Sequence, residues 1–483
     1  MPSDSPLPNL QADDPLLSSA TREQLSRHDQ HHVLRFWDQL DPVSRRRLAE
    51  QLNEVDFDLV AELVAGSDEA IDFGAMARRA EMPPSVASDG SGVAWTIEQA
   101  KQRGEEALRA GEVACILVAG GQGTRLGFDQ PKGMFPIGPV SGRTLFEMFA
   151  DRLLAVGQHY GVQIPLYLMT SEATDAETRA YFDANDRLGL SEDQVTIFQQ
   201  GTMPAVDAES GKFLLADKDS LALSPDGHGG TLRALARSGC LDEMRQNNVK
   251  HLFYFQVDNP LVTLCDPVFI GHHLLAESEM TTQVIRKRFP MEKVGNVVEV
   301  DGRTRIIEYS DLPEQAANMT DESGQLKLWA GSIAVHLFAV DFLHRVRNDA
   351  AALPFHRANK KVPYVNADGE RVEPTEPNAV KFERFIFDLL PSAARTIICE
   401  VEPSEAFAPV KNADGAPTDT PSLARQAISD YYANWAKAAG VRVAPSAQVE
   451  VNPRFAIDRE AFAGQVSGSD PIEEDRYFDA PPA

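Results

Sequence analysis

The chain has 483 residues, and its 46 lysines and arginines against 72 aspartates and glutamates give a formal net charge of −26. This length exceeds the roughly 150 residues of a typical domain, so we expect two or three domains with cores of their own. The acidic excess disfavours nucleic acid and anionic membranes as partners, so any phosphate site must be a local cationic pocket.

The cysteines and the apolar runs indicate the cellular compartment. The chain has four cysteines, none in a CxxC pair, and we interpret them as reduced core residues: Cys115, Cys240, Cys265 and Cys399. Residues 1–17 lack the basic and then apolar pattern of a signal peptide, and no stretch reaches the roughly 18 uncharged apolar residues of a membrane span. We therefore predict a soluble cytoplasmic protein that contacts neither membrane nor nucleic acid. The oligomeric state stays open, and a monomer is compatible with the sequence.

The first 95 residues are predicted to be a helical region. Asp41 before Pro42 is a helix start, because the carboxylate can cap the first turn and proline lacks only an N–H that would be unpaired there. Apolar residues then recur at intervals of three and four and predict one continuous helical stripe: Leu48, Leu52, Val55, Leu59 and Leu63.

The histidines of "HDQHH" (28–32) raise the question of a metal site. His28, His31 and His32 would share one face of a helix. We favour a solvated helix surface, because no cysteine and no second-shell partner lies nearby in the sequence.

From residue 113 onward, short apolar runs alternate with helical patterns. The strand-like runs are 113–119, 164–170, 195–200 and 250–257, and the helical ones include 144–156, 175–185 and 231–248. This alternation predicts a doubly wound α/β fold with a mixed sheet, and the strand-rich stretch 281–345 suits an antiparallel extension. We predict a catalytic domain over 96–400 and a small C-terminal α+β domain over 401–483, with a helix near 421–438 and a loose acidic tail after 469.

A glycine-rich loop, "VAGGQGTRLGFDQPKGMFPIG" (118–138), follows the apolar run 113–119. Leu126 stands where a dinucleotide-binding GxGxxG would need its third glycine, and no GxxxxGK[ST] is present. Glycines allow backbone N–H groups to approach a base or phosphate closely, Arg125 can bind phosphate oxygens in a fork, and Lys132 adds a mobile charge. A structural turn with surface cations is the alternative, and the combination of residues favours a phosphate-binding loop.

Two further residues are candidates for phosphate chemistry. Asp258 closes the apolar run 251–257, where a strand would direct its carboxylate toward the ligand crevice and onto Mg²⁺ shared with phosphates. Asp258 and Asn259 could instead cap a turn. Lys411, in "PVKNADG", would by itself be interpreted as a solvated loop lysine.

The series of motifs resembles the eukaryotic-type UDP-sugar pyrophosphorylase family, and most resembles its UDP-N-acetylglucosamine branch. Besides the glycine-rich loop, the motifs in the family's order are "FQQGTMPA" (198–205), "SPDGHGG" (224–230), "FQVDNPLV" (255–262), "VGNVVEVDG" (294–302), "IIEYSDL" (306–312), "NKKVPYV" (359–365), "FERFIFD" (382–388) and "PVKNADG" (409–415). The resemblance implies a Rossmann-like nucleotidyltransferase core, UTP and a sugar 1-phosphate as substrates, Mg²⁺ as cofactor, and UDP-sugar and pyrophosphate as products.

The resemblance also implies a role for each matching residue. Arg125, Lys132 and Lys411 would be catalytic, and Asp258 would hold the metal. The uridine would be bound by Ala119, Gly120, Gly121, Gln200 and Gly227. The sugar would be bound by His228, Gly295, Glu308, Tyr309, Ser332, Phe385 and Phe387. Without the resemblance, the two phenylalanines would be interpreted as core, and Glu308 and Tyr309 as a plain strand end.

Two positions depart from the UDP-N-acetylglucosamine pattern on the sugar side. His228 and Ser332 stand where that branch has asparagines. A UDP-glucose or broad-specificity pyrophosphorylase is therefore the alternative to synthesis of UDP-N-acetylglucosamine. Among other classes, a sensor that only binds UDP-sugar would have little need of Lys132, Asp258 and Lys411 together. An oxidoreductase would lack the third glycine of its loop.

Overall fold

The computed structural model describes residues 16–66, 72–466, 468 and 470–480. The chain divides into two compact units. The first comprises Met1–Ile71, Gly201–Gly230 and Leu353–Ile386, and the second comprises Asp72–Gln200, Thr231–Ala352 and Phe387–Ala483. The division at residues 95 and 400 stays a prediction. The N-terminal stretch without a leader pattern lies, up to residue 15, outside the described residues.

The α-helices of the described residues are α1 (Ser19–Arg27), α2 (Pro42–Glu54), α3 (Phe57–Ala65), α4 (Phe73–Arg79), α5 (Ile97–Arg109), α6 (Leu145–Tyr160), α7 (Asp175–Ala184), α8 (Gly230–Arg237), α9 (Cys240–Gln246), α10 (Pro267–Leu275), α11 (Glu314–Ala317), α12 (Val340–Val346), α13 (Pro403–Ala406), α14 (Pro421–Ala438) and α15 (Arg459–Val466). None of these described helices combines the length and apolarity needed to cross a membrane.

The strands of the described residues are β1 (Ser85–Val86), β2 (Val113–Val118), β3 (Leu166–Thr170), β4 (Val195–Gln199), β5 (Thr202–Pro204), β6 (Val206–Asp207), β7 (Leu215–Asp217), β8 (Ser220–Leu221), β9 (Leu223–Pro225), β10 (His251–Gln256), β11 (Met280–Arg286), β12 (Gly295–Val300), β13 (Arg303–Ile307), β14 (Ala330–Ala339), β15 (His356–Lys360), β16 (Tyr364–Val365), β17 (Arg371–Val372), β18 (Ala379–Glu383), β19 (Thr396–Glu400), β20 (Val449–Val451) and β21 (Arg476–Phe478).

A mixed sheet forms the centre of the second unit, as predicted. Its strand order is β1-β19-β11-β14-β10-β2-β3-β4, with β12 beside β14 and β13 beside β12. Strands β10, β2, β3 and β4 are mutually parallel, and β14 runs antiparallel to β10, β11 and β12. Of the antiparallel extension predicted for 281–345, β12 and β13 form a hairpin beside β14. Strands β11 and β14 lie inside the main sheet, where β11 also pairs in parallel with β19.

The burial of the central strands explains why their sequences are continuous apolar runs. All five residues of β3 are buried, as are the first five of β2, because helices cover both faces of a doubly wound sheet. All four cysteines are buried and free, which confirms their interpretation as core residues. Helix α5 begins with a capping box, in which Thr96 Oγ1 accepts from Gln99 N and Gln99 Oε1 accepts from Thr96 N.

The first unit packs α1–α3 with short sheets, of which the largest has the order β15-β18-β6. Its core contains Leu25, Trp37, Leu48 and Phe382. Asp41 caps α2 as predicted. The prediction of one continuous helical stripe was wrong. Helix α2 ends at Glu54, and Asp56 caps a new helix by accepting from Leu59 N. Because the second helix restarts the register, it buries Phe57 and Val60 rather than Leu59 and Leu63.

The three histidines near residue 30 do not share a helix face. Helix α1 ends at Arg27, and His31–Leu34 form a separate 3₁₀ turn. His28 Nε2 lies 2.9 Å from Asp58 Oδ1, and His32 Nε2 lies 2.7 Å from the Phe213 carbonyl oxygen. Each of these two rings has its own protein partner, and the prediction of a solvated helix surface was wrong, because the three residues do not belong to one helix.

The C-terminal part of the second unit contains α14 with the predicted bounds. The acidic tail was predicted to be loose, and within the described residues this was wrong. Strand β21, in that tail, pairs in parallel with β20, and Asn452 N donates to the Phe478 carbonyl oxygen at 2.9 Å. This pairing joins segments about 25 residues apart, so no local pattern indicates it.

Glu450, in β20, fastens the segment that follows the glycine-rich loop. Its buried carboxylate accepts from Val140 N (2.8 Å), Ser141 N (2.7 Å) and Ser141 Oγ (2.6 Å). Hydrogen bonds to a buried carboxylate are stronger than those between neutral groups. Glu450 therefore holds this segment in place.

We expect Glu450→Ala to lower the free energy of unfolding by about 3 kcal/mol, because it leaves two backbone N–H groups without an acceptor. The measurement is urea-induced unfolding followed by tryptophan fluorescence. The control is Glu474→Ala, which removes an exposed carboxylate and should change stability by less than about 0.5 kcal/mol. Equal unfolding curves for the two variants would contradict the anchoring role of Glu450.

Candidate active site

The glycine-rich loop leaves the central strand β2 and folds back on itself. Lys132 N donates to the Gly121 carbonyl oxygen at 3.1 Å, and Gly123 N donates to the Gln130 carbonyl oxygen at 2.9 Å. Short 3₁₀ turns occupy Thr124–Leu126 and Lys132–Met134. The loop is therefore a closed structure that brings Arg125 and Lys132 to the carboxyl edge of the sheet, where ligands of doubly wound folds bind.

Three of the residues predicted to bind uridine lie together at the ends of β2–β4. Ala119 N donates to the Met169 carbonyl oxygen at 2.8 Å, and Gln200 N donates to the Thr170 carbonyl oxygen at 2.9 Å. A Cβ on Gly120 would stand 2.7 Å from Gln200 Oε1, so these two residues are in direct contact. Ser171, which the sequence did not single out, donates to the Gly120 carbonyl oxygen at 2.7 Å and fixes the start of the loop.

A phosphate cluster, defined as Arg125, Lys132, Asp258 and Lys411, forms beside this loop. Lys132 Nζ donates to the Val410 carbonyl oxygen at 3.3 Å, and Val410 N donates to the Asp258 carbonyl oxygen at 2.8 Å. Lys411 Nζ lies 3.8 Å from Asp258 Oδ2. The structure thus brings together three residues that are up to 279 positions apart in the sequence, with the exposed Arg125 on the same loop as Lys132.

Electrostatics within the phosphate cluster favour an anionic ligand. Burial lowers the pKa of Lys132, the Asp258 carboxylate opposes this, and the charges of Lys411 and Arg125 lower the pKa further. Three cations against one carboxylate leave a local positive excess in an acidic chain. An anion bound here would compensate the repulsion and restore the proton affinity of Lys132.

Asn259 supports the site, whereas the sequence indicated for it only the alternative of capping a turn together with Asp258. Its buried amide donates to the Ala406 carbonyl oxygen at 2.8 Å and accepts from Ala408 N at 3.1 Å. These bonds fasten the segment that carries Lys411 to the end of β10. The amide next to Asp258 was the available signal, but its partners could not be identified from sequence.

Asp419 is a second residue that the sequence missed. Its carbonyl oxygen accepts from Lys411 N at 2.8 Å, and its backbone has a φ of 59°, in the left-handed region. Burial raises the pKa of its carboxyl group, Lys411 opposes this shift, and Asp258 adds to it. Asp419 therefore borders the phosphate cluster and holds the backbone of its lysine.

The predicted sugar residues of the second unit form a separate group next to β14. Gly295 pairs directly with Ser332 across β12 and β14, and a Cβ on Gly295 would stand 3.1 Å from Glu308 Oε1. Ser332 Oγ accepts from Ala334 N at 3.3 Å. Tyr309 is 39% exposed, whereas Phe387 is buried, and a sugar contact for either stays a prediction.

The remaining predicted ligand residues lie together in the first unit. Gly227 has a φ of 81°, and a Cβ there would stand 2.4 Å from the Arg384 carbonyl oxygen, so only glycine fits. His228 Nδ1 accepts from Ile386 N at 3.2 Å, and its ring centroid lies 5.4 Å from that of Phe385. Residues of the motifs at 224–230 and 382–388 are therefore in direct contact.

The small number of carboxylates at the site is compatible with a metal ion that a bound substrate largely coordinates. Among the residues that the structure describes, no three histidine, cysteine, aspartate or glutamate side chains form a metal-binding group. Asp258 offers one carboxylate beside the lysines. Mg²⁺ typically takes one or two carboxylates and completes its shell with phosphate oxygens and water, so this arrangement fits it.

Comparison with known proteins gives one consistent relationship. Residues 81–451 match the family profile described as UTP-glucose-1-phosphate uridylyltransferase. The UDP-N-acetylglucosamine pyrophosphorylase of Saccharomyces cerevisiae is 36% identical over 455 residues, which cover 92% of this chain and 94% of the yeast protein. The UDP-N-acetylhexosamine pyrophosphorylase-like protein 1 of Xenopus tropicalis is 37% identical over 440 residues, which cover 88% and 85% of the two chains.

A solved structure agrees with these relatives. The crystal structure of the uridine diphosphate N-acetylglucosamine pyrophosphorylase from Trypanosoma brucei, in complex with an inhibitor, superimposes with a TM-score of 0.79 at 26% identity. The match covers 94% of this chain and 96% of the trypanosomal one. The family resemblance of the motifs and the nucleotidyltransferase type of core are therefore confirmed.

Proposed function

The chain belongs to the UTP-glucose-1-phosphate uridylyltransferase family, and on this premise we propose that it makes UDP-N-acetylglucosamine and pyrophosphate from UTP and N-acetylglucosamine 1-phosphate. The observation that carries the proposal is the phosphate cluster, in which Lys132, Asp258 and Lys411 meet beside the glycine-rich loop. Relatives that are UDP-N-acetylglucosamine pyrophosphorylases match most of the chain and support the choice of sugar. The buried free cysteines fit a reducing compartment, and we propose a cytoplasmic location.

The proposed chemistry is an in-line attack of a sugar-phosphate oxygen on the α-phosphorus of UTP. Such a transfer depends on alignment and charge neutralisation and needs no nucleophile from the protein. Arg125 and Lys132 bind the β- and γ-phosphates and stabilise the negative charge that grows on the departing pyrophosphate. Binding of these phosphates would raise the lowered pKa of Lys132, because their negative charge favours the protonated ammonium group.

Lys411 and Asp258 act on the other side of the reacting phosphorus in this proposal. Lys411 neutralises the α-phosphate and the incoming sugar phosphate, and Asp258 holds the lysine in position. Mg²⁺ bound to Asp258 would supply further neutralisation of the phosphate charge. Asn259 and Asp419 keep the backbone of this segment in place.

Glu308, Gly295 and Ser332 bind the sugar in this proposal, and Gly120, Gly121 and Gln200 bind the uridine. Ala119 contributes to the uridine site. In the first unit, Gly227 and His228 have the uridine and sugar roles that the resemblance implies, and His228 Nδ1 accepts from Ile386 N. By the same resemblance, Tyr309, Phe385 and Phe387 have sugar-binding roles.

Ser332 favours the second candidate, a UDP-glucose or broad-specificity enzyme. Its hydroxyl accepts from Ala334 N, so it stays close to its own backbone and does not extend as an asparagine would. A site built to hydrogen-bond one substrate group discriminates strongly against analogues that lack it. The identity of the sugar therefore depends on what Ser332 and His228 recognise.

We expect the purified protein with UTP and Mg²⁺ to release pyrophosphate, with N-acetylglucosamine 1-phosphate preferred among the tested sugar 1-phosphates. The panel adds N-acetylgalactosamine, glucose and galactose 1-phosphates, and a coupled pyrophosphate assay measures kcat/KM for each. Preference for glucose or galactose 1-phosphate would support the second candidate. No release with any sugar would contradict an enzymatic role and leave a binding-only sensor.

We expect Arg125→Ala and Asp258→Asn each to lower kcat roughly 10²- to 10³-fold, because each removes charge stabilisation at the reacting phosphates. The same assay measures both variants. The matched controls are Arg371→Ala and Asp341→Asn, which alter exposed ion pairs and should keep wild-type rates. Near-normal turnover in a folded Arg125 or Asp258 variant would remove that residue from the mechanism.

We expect Gly121→Ala to raise the KM for UTP about tenfold without changing the urea midpoint. A Cβ on Gly121 would meet no protein atom within 4 Å, so the protein itself does not require glycine there. Only a bound ligand would collide with the added methyl group. Gly464→Ala is the control, since that Cβ also meets no atom within 4 Å. An unchanged KM for UTP would mean that the nucleotide does not approach Gly121.

A further inference from the structure

A buried lysine next to the sugar group has no part in the proposed chemistry. Lys287 follows β11 and is 5% exposed. Its Nζ donates to Asn296 Oδ1 at 2.5 Å and to the Pro290 carbonyl oxygen at 3.0 Å. Burial lowers the pKa of this ammonium to about 8, and Glu292 opposes the shift. Burying an ammonium group costs more folding free energy than burying an apolar side chain. The presence of a lysine at this buried position therefore calls for an explanation.

Asn296, the partner of Lys287, connects three strands. It is 1% exposed, and its Nδ2 donates to the Ile307 carbonyl oxygen at 3.2 Å and to the Val294 carbonyl oxygen at 3.4 Å. Across the sheet, Asn296 is paired with Gly331 of β14. The Lys287–Asn296 pair therefore connects the ends of β12 and β13 next to β14.

Asn296, Ile307 and Gly331 are each next in the sequence to a predicted sugar-binding residue. Asn296 follows Gly295, Ile307 precedes Glu308, and Gly331 precedes Ser332. Lys287 also reaches β14 directly, because its backbone N donates to the Trp329 carbonyl oxygen at 2.9 Å. A Cβ on Gly331 would stand 3.4 Å from Lys287 Cγ. The lysine thus lies behind the surface on which the sugar is proposed to bind.

The segment after Lys287 also lies near the phosphate cluster. The charges of Arg288 and Glu292 act on the pKa of Asp419, together with those of Lys411 and Asp258. Arg288 and Glu292 are paired, with Arg288 Nε 2.7 Å from Glu292 Oε1. The chain from 287 to 296 therefore runs from the phosphate cluster to the sugar group.

We propose that Lys287, through Asn296, is a positioning residue that sets the relative placement of Gly295, Glu308 and Ser332 for the sugar 1-phosphate. The inference rests on the proposed function. Lys287 touches the backbone and side chains that support the site and not the reacting atoms. Its loss therefore acts on the binding of the sugar substrate and leaves the nucleotide side unchanged.

The test compares Lys287→Met with wild type for the KM of each substrate. We expect the KM for the sugar 1-phosphate to rise about tenfold and the KM for UTP to change less than twofold. Lys293→Met is the control, since it removes an exposed lysine from the same segment and should leave both KM values unchanged. A sugar KM within twofold of wild type, or an equal rise in both KM values, would overturn the inference.

The double variant Lys287→Met with Asn296→Leu separates positioning from stability. The double variant no longer buries an Asn296 amide without its lysine, but the carbonyl oxygens of Ile307 and Val294 lose a donor, so we expect the urea midpoint to recover only in part. The KM for the sugar 1-phosphate should stay raised. If it returns to the wild-type value together with the midpoint, Lys287 has only a structural role.

A third variant keeps the test usable where Lys287→Met does not fold. Asn296→Asp retains an acceptor for Lys287 but loses the donor to Ile307, so the sugar KM should rise while the protein folds. An unchanged sugar KM in this folded variant would overturn the inference. Wild-type activity is the reference throughout: its absence contradicts the proposed function, whereas an active wild type with unaffected variants contradicts the inference alone.

Discussion

The gathering of positive charge around one carboxylate is the constraint on which the rest of the site depends. Lys411 Nζ lies 3.8 Å from Asp258 Oδ2, and Lys132 Nζ donates to the carbonyl oxygen of Val410, the residue before Lys411. The segment of Lys411 needs a fixed backbone, because like charges separate unless the structure holds them. Asn259 and Asp419 supply that fixation. The arrangement brings repelling cations together and therefore favours an anionic ligand, in a chain whose overall charge repels anions.

The sheet order explains how these segments meet. Strands β2 and β10 are adjacent and parallel, so the loop after β2 and Asp258 after β10 emerge at the same edge. The antiparallel β14 lies on the other side of β10 and presents Ser332 beside Gly295 of β12. One mixed sheet thus supports the proposed phosphate-binding edge at its parallel strands and the proposed sugar group at its antiparallel ones.

Local signals made much of the fold predictable from sequence. The caps at Asp41 and Thr96 act within one helical turn, and the buried strands are contiguous apolar runs. The predictions failed where an element depends on a strand that is distant in the sequence, or where a local residue begins a new helix. Asp56 capped a new helix inside an apolar stripe, and the tail strand Arg476–Phe478 exists because β20 is its partner. Lys287 was missed because its sequence neighbours do not reveal its burial.

The first compact unit is built from three separated stretches, the last of which ends at Ile386. During synthesis on the ribosome, this unit therefore cannot be completed until Ile386 has emerged. Its N-terminal helices must wait for β15 and β18, whose pairing is made late. Such long-range closure slows folding and leaves apolar helix faces exposed in the meantime.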